Sequence, residues 1–210
     1  MVKLLLVLLF GLLPVIDGLY YRCGLMRTVP GPHPDIPAIS FLMSRTLGVG
    51  DTIIIKGKVF PDVQAKKRLT IDLLTELSEE YYKSVSTLHF SAQFDLNRTS
   101  IGDYKPNANQ VFREEKILPL ALTLEPFSIR IKVEADGYSI YVDKKFLYKL
   151  KYSTDLKESY KTVWRIFLQN VDIHTECIID CKEDKDCPAG GMTYIISNRS
   201  YREAVGTCPE

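Results

Sequence analysis

Between residues 38 and 175, apolar and polar positions alternate with a period of two in one short run after another. In LHFSAQF (88–94), Leu88, Phe90, Ala92 and Phe94 fall on one side and His89, Ser91 and Gln93 on the other. In SIRIKVEA (128–135), Ile129, Ile131, Val133 and Ala135 alternate with Arg130, Lys132 and Glu134. Successive side chains of a strand point to opposite faces, so each run predicts a strand with one face in a core and one in water. TIIIKGKVF (52–60) and RLTIDLL (68–74) are short β-branched runs, and YSIYVD (138–143) and WRIFLQNVDI (164–173) are further strand candidates. Asp136-Gly137 predicts a tight hairpin, on the ground that glycine tolerates positive φ. LLTELSEEYYK (73–83) is ambiguous between a helical turn and a long hairpin loop. Many short strands without a sustained helical period predict an all-β, antiparallel two-sheet β-sandwich.

Both ends of the chain have a different texture. MVKLLLVLLFGLLPVIDG (1–18) sets Lys3 before an apolar run that breaks at Pro14 and Gly18, the pattern of a signal peptide. The run is shorter than the roughly 20 apolar residues of a spanning helix, so no transmembrane segment is expected. Residues 19–37, ending VPGPHPDIP, read as a stiff proline-rich leader. One domain follows over 38–176, and a cysteine-rich tail over 177–210.

Cysteine placement agrees with secretion to the extracellular space. Cys23 precedes the strand region, and Cys177, Cys181, Cys187 and Cys208 follow it. In an oxidising compartment all are disulfide candidates, and an odd number leaves one free or linking two chains, so a covalent homodimer stays open. The pairing among the last four is likewise open. A zinc set of His174, Cys177, Cys181 and Cys187 fits no familiar finger spacing. Asn97-Arg98-Thr99 and Asn198-Arg199-Ser200 are N-glycosylation sequons, usable on the secretory route.

Lysine and arginine total 27 against 26 acidic residues, which gives no electrostatic case for a nucleic-acid partner. The chain has no G-x-S-x-G, no H-E-x-x-H and no phosphate-cradling glycine loop, so no enzyme is expected. No cofactor or metal is implied, since no acidic calcium cage is visible.

The order of the strands resembles the galectin family of β-galactoside-binding lectins over roughly 38–175. LGVGDTIIIKGKVF resembles that family's opening strand, and Ala65 with RLTIDL resembles its A-x-R-F-x-I-N-L, with Asp72 where asparagine is usual. LHFSAQF is similar to H-F-N-P-R-F, and VFREEK (111–116) to W-G-x-E-x-R. PFSIRIKVEADGYSIYVD resembles P-F-E-L-x-I and the hairpin behind it, and IFLQNVDI the closing strand.

The resemblance implies a jelly-roll-like sandwich with a sugar site on its concave face. It implies carbohydrate-binding roles for His89, Ser91, Gln93, Asp103, Glu114 and Lys116. Ser91 stands where asparagine belongs, Gln93 and Lys116 where arginine belongs, and Val111 where tryptophan belongs. Sugar hydroxyls need polar partners that donate and accept, and their loss of water must be compensated. The expected function is glycan binding, galactose-containing glycans among the ligands, at a partly degenerate site. The alternative is a protein-interaction or structural module, with an extracellular protein partner, that kept the sandwich and lost the sugar.

Overall fold

The computed structural model describes residues 20–22, 26–28, 36, 38–43, 46–60, 67–75, 84–105, 111–153, 159–171, 178–181 and 191–195. The signal segment, most of the proline-rich leader, Cys23, His174, Cys177, Cys187, Cys208 and Asn198 lie outside them, as does most of the ambiguous 73–83 stretch. The first strands are β1 (Tyr20–Arg22), β2 (Met26–Thr28), β3 (Ala38–Leu42), β4 (Thr52–Gly57), β5 (Arg68–Leu74), β6 (Ser86–Gln93) and β7 (Arg98–Lys105). They are followed by β8 (Val111–Pro119), β9 (Phe127–Glu134), β10 (Gly137–Val142), β11 (Lys145–Lys151), β12 (Arg165–Gln169), β13 (Ile178–Cys181) and β14 (Gly191–Ile195). No helix among the described residues is long and apolar enough to cross a membrane.

The described strands form two seven-stranded sheets. One runs β2-β3-β12-β5-β6-β7-β8, the other β1-β13-β14-β4-β9-β10-β11. Neighbouring strands are antiparallel, β13 and β14 alone being parallel. The tail therefore adds strands to the second sheet, with Thr193 of β14 opposite Ile54 of β4.

The alternating apolar sets meet between the sheets. Leu69, Ile71 and Leu73 of β5 and Leu88, Phe90 and Ala92 of β6 join one cluster with Ile53, Ile55, Ile129, Ile131 and Val133 of the other sheet. Burying each such aliphatic or aromatic side chain stabilises by roughly 1.5–3 kcal/mol, which fixes which face of each strand turns inward. One hydroxyl pair crosses this interior. Thr87 Oγ1 lies 2.9 Å from the Tyr138 hydroxyl of β10. Thr87 is the extra residue of a bulge, since Leu73 pairs with Leu88 while Leu74 pairs with Ser86. Burial holds the Tyr138 phenol above its ordinary titration range, so it stays protonated.

The turn at Asp136-Gly137 forms, with a different reason for its glycine. Gly50 is the glycine with positive φ among the described residues, whereas Gly137 begins β10 opposite Glu134. A Cβ at Gly137 would run into the backbone carbonyl of Leu150 on β11, so close approach, not φ, requires glycine there. Positive φ belongs instead to Asp143 and Lys144, at 46° and 69°, which turn β10 into β11.

Candidate functional site

The outward face of the β2–β8 sheet is where the sequence places chemistry, and its register sets what meets what. Asp72 of β5 pairs with His89 of β6, His89 with Gly102 of β7, and Gly102 with Glu115 of β8. The next row reads Thr70, Ser91, Ser100 and Ile117, and the row beyond it Arg68, Gln93, Arg98 and Pro119. Directly opposed residues of antiparallel strands share a face. His89, Ser91 and Gln93 are thus brought together as the alternation requires.

Most of this face is not in water. Thr70, Asp72, Ser91, Gln93, Ser100 and, on β12, Arg165 and Gln169 are all buried. Ala38, Leu74, Tyr104 and Phe167 form a second small apolar cluster apart from the core between the sheets. What remains accessible is a strip over β6, β7 and β8. His89 keeps 12% of its side chain exposed and Arg98 is half-buried, while Glu115 and Ile117 are open to solvent.

Cross-strand hydrogen bonds brace the polar groups of the strip. His89 Nδ1 lies 2.8 Å from Oδ1 of the fully buried Asp72, which also accepts from Ser86 Oγ at 2.8 Å. A carboxylate oxygen accepts, so Nδ1–H is the donor of this pair. Arg98 Nε donates to Gln93 Oε1 at 2.8 Å. Ser100 Oγ donates to Glu115 Oε1 at 2.5 Å. Charge-assisted bonds of this kind are among the stronger ones a sheet face offers, and they hold each charged end in one orientation. The edge of the Tyr104 ring packs against His89, with ring centroids 5.5 Å apart.

The remaining sequence candidates stand elsewhere. Asp103 is one residue past Gly102, on the core side of β7 with the buried Ile101, and its Oδ2 accepts from Ser153 Oγ at 2.9 Å. Glu114 occupies the register position opposite Asp103, and Lys116 the one opposite Ile101. The physical reason is strand alternation along a regular pairing: Gly102 and Glu115 stand in the row of His89, so Asp103, Glu114 and Lys116 take the register positions one residue away from it. The residues that sequence reasoning missed are Asp72, Arg98 and Glu115. Only Asp72 left a signal, an acid in the middle of an otherwise apolar run. No group of three or more metal-ligating side chains converges among the described residues.

Comparison with known proteins gives a consistent family. The profile of the galactoside-binding lectin family matches residues 39–171. A doubly substituted and a singly substituted form of human galectin-16 superpose with a TM-score of 0.52 at 22% identity, covering 70% of this chain and 94% of theirs. Sheep galectin-11 in complex with glycerol gives 0.49 at 16% identity, with 62% and 90% covered. A comparison with curated proteins returns no match. The chain belongs to the galactoside-binding lectin family, the galectins, and carries that family's sandwich.

Proposed function

We propose that the chain is a secreted, non-enzymatic lectin that binds glycans through the strip on β6–β8 rather than across the whole concave face. The observation that carries this reading is the set of three braced polar groups in adjacent rows: His89 on Asp72, Arg98 on Gln93, and Glu115 on Ser100. An imidazole, a guanidinium and a carboxylate together donate to and accept from sugar hydroxyls, and bracing them beforehand reduces the ordering entropy of binding. Ile117, 43% exposed in the same register row as Ser100, offers an apolar surface to the C–H side of a sugar ring in place of a stacking aromatic. Such a site is narrower and weaker than one with a full aromatic platform. A glycan on Asn97, which is exposed in the turn between β6 and β7, would border the Arg98 end of the strip.

The test is a broad glycan array with the oxidised, secreted protein beside His89→Ala. Binding that the variant loses supports the reading. A second reading is favoured by one observation, the closure of the β3–β12–β5 part of the face over Asp72 and Phe167. It makes the chain a protein-binding module with a protein partner in place of a glycan. Silence across the array from folded protein would sink the lectin reading and leave this one.

A further inference from the structure

Arg98 is held at the end of the strip by a neutral side chain. Its guanidinium is tethered at one point only, by the Nε bond to Gln93, and Gln93 is itself buried at 6% exposure. No carboxylate forms an ion pair with Arg98 among the described residues, and Asp95 in the preceding turn is exposed without reaching it. A guanidinium has five N–H donors in a planar fork. One is spent on Gln93, and the tether fixes the plane of the rest. The terminal nitrogens then present a two-pronged edge that suits an oxyanion better than a hydroxyl, because both prongs donate and carry charge.

The position of that fork is also defined. Arg98 opens β7 opposite Gln93, four residues along the sheet from Gly102 and His89, at the end of the strip next to the β6–β7 turn. That separation is about 13 Å at roughly 3.3 Å per residue, so a ligand reaching both ends is an oligosaccharide and not a single sugar.

We propose that Arg98 is an anion-accepting subsite, so that the preferred ligand is a glycan bearing a sulfate ester or a sugar carboxylate several ångströms from the residue held at His89. This rests on the lectin reading above and specifies its ligand. Gln93 acts as the positioning residue, holding the guanidinium at the angle the oxyanion needs.

The experiment measures affinity for lactose, for lactose sulfated on the galactose, and for lactose capped by a sialic acid carboxylate. The proteins are the full chain, Arg98→Gln, Arg98→Lys and Gln93→Ala, each checked by thermal melt. The wild-type protein is expected to bind one or both anionic probes at least about tenfold more tightly than lactose, the range of a charge-assisted bond. Which probe wins distinguishes sulfate from carboxylate. Arg98→Gln should bind all three alike, and Arg98→Lys should recover only part of the preference, as a point charge lacks the fork. If lactose binds and the anionic probes bind no better, the subsite is overturned while the lectin reading stands. If none of the three binds to folded protein, both fail.

Discussion

The outward faces of the two sheets hold their polar residues under different conditions. On the β9–β11 face, Lys149 Nζ lies 2.7 Å from Glu134 Oε2 and 2.7 Å from Asp136 Oδ1, with Lys132 3.8 Å from Glu134 Oε1. All of these groups keep substantial contact with solvent. On the β5–β8 face, Asp72 has no solvent contact and holds both His89 and Ser86, while Arg98 is held on Gln93 and Glu115 on Ser100 at hydrogen-bond distance. Ion pairs in water are weak and exchangeable, because water competes for each charge. A buried polar atom without its partner has no such substitute. Identical alternation along the sequence thus yields a tolerant surface on one sheet and a set of fixed positions on the other. Recognition needs the second kind.

The largest predicted effect breaks the fixed face. Asp72→Ala removes the acceptor that holds the mostly buried His89 imidazole and one of two acceptors of the Ser86 hydroxyl, which also donates to the Leu88 carbonyl, and should destabilise by about 2 kcal/mol, read as a lower urea midpoint. Asp72→Asn keeps an accepting oxygen and should lose less than half of that. Equal losses in the two variants would show that the carboxylate's charge, not its hydrogen bonds, holds the row.

A smaller effect sharpens the comparison within the strip. Ser100→Ala removes the brace on an exposed carboxylate, so stability should fall by less than about 1 kcal/mol. Glycan affinity should fall more clearly, since Glu115 then samples several orientations. An unchanged affinity would remove Glu115 from the site.

The smallest effect lies on the tolerant face. Lys149→Ala should leave the urea midpoint at neutral pH within its scatter, because exposed surface pairs contribute little. The hydrogen bond from Lys149 holds the Glu134 and Asp136 carboxyls below their ordinary values of 4.5 and 3.8. Groups with lowered folded pKa stabilise at pH above the unfolded value and lose that contribution as pH falls through the folded one. The Lys149 ammonium is shifted upward from 10.5, chiefly by its hydrogen bond to Asp136, so its contribution is present below that value and disappears at higher pH. Wild type and Lys149→Ala should therefore have parallel stability profiles from about pH 5 to 10 and differ in slope only outside that window. Divergence near neutrality would mean that this cluster is not the surface feature its exposure suggests.

How far the sequence foretold these faces depended on pattern. RLTIDLL became β5 residue for residue, and LHFSAQ lies in β6 with Leu88, Phe90 and Ala92 inward, while Phe94 falls in the turn that follows. Both had uninterrupted apolar neighbours that specify a core face. β7 went unseen because RTSIGDYK mixes polar residues on both sides. β11 went unseen because KFLYKLK is an edge strand whose lysines mask its periodicity. On this face, His89, Ser91 and Gln93 stand side by side as the alternation along β6 requires. The motif likeness that singled out Asp103, Glu114 and Lys116 carries no strand register, and the regular β7–β8 pairing puts Gly102 and Glu115 in the row of His89 instead. Arg98 could not be read as a partner of Gln93 without knowing that a turn of a few residues folds one strand onto the other.

The position of β8 in its sheet has a further consequence. It is the outermost strand, paired on one side only, and it contributes Glu115 and Ile117, the most exposed wall of the strip. Changes at these two positions disturb neither the interior nor a second neighbouring strand. The His89 wall, by contrast, is tied through Asp72 into the middle of the sheet. Over evolutionary time such a lectin can exchange one wall almost freely while the other stays put, so that preferences among related sugars drift without the domain having to be restabilised each time.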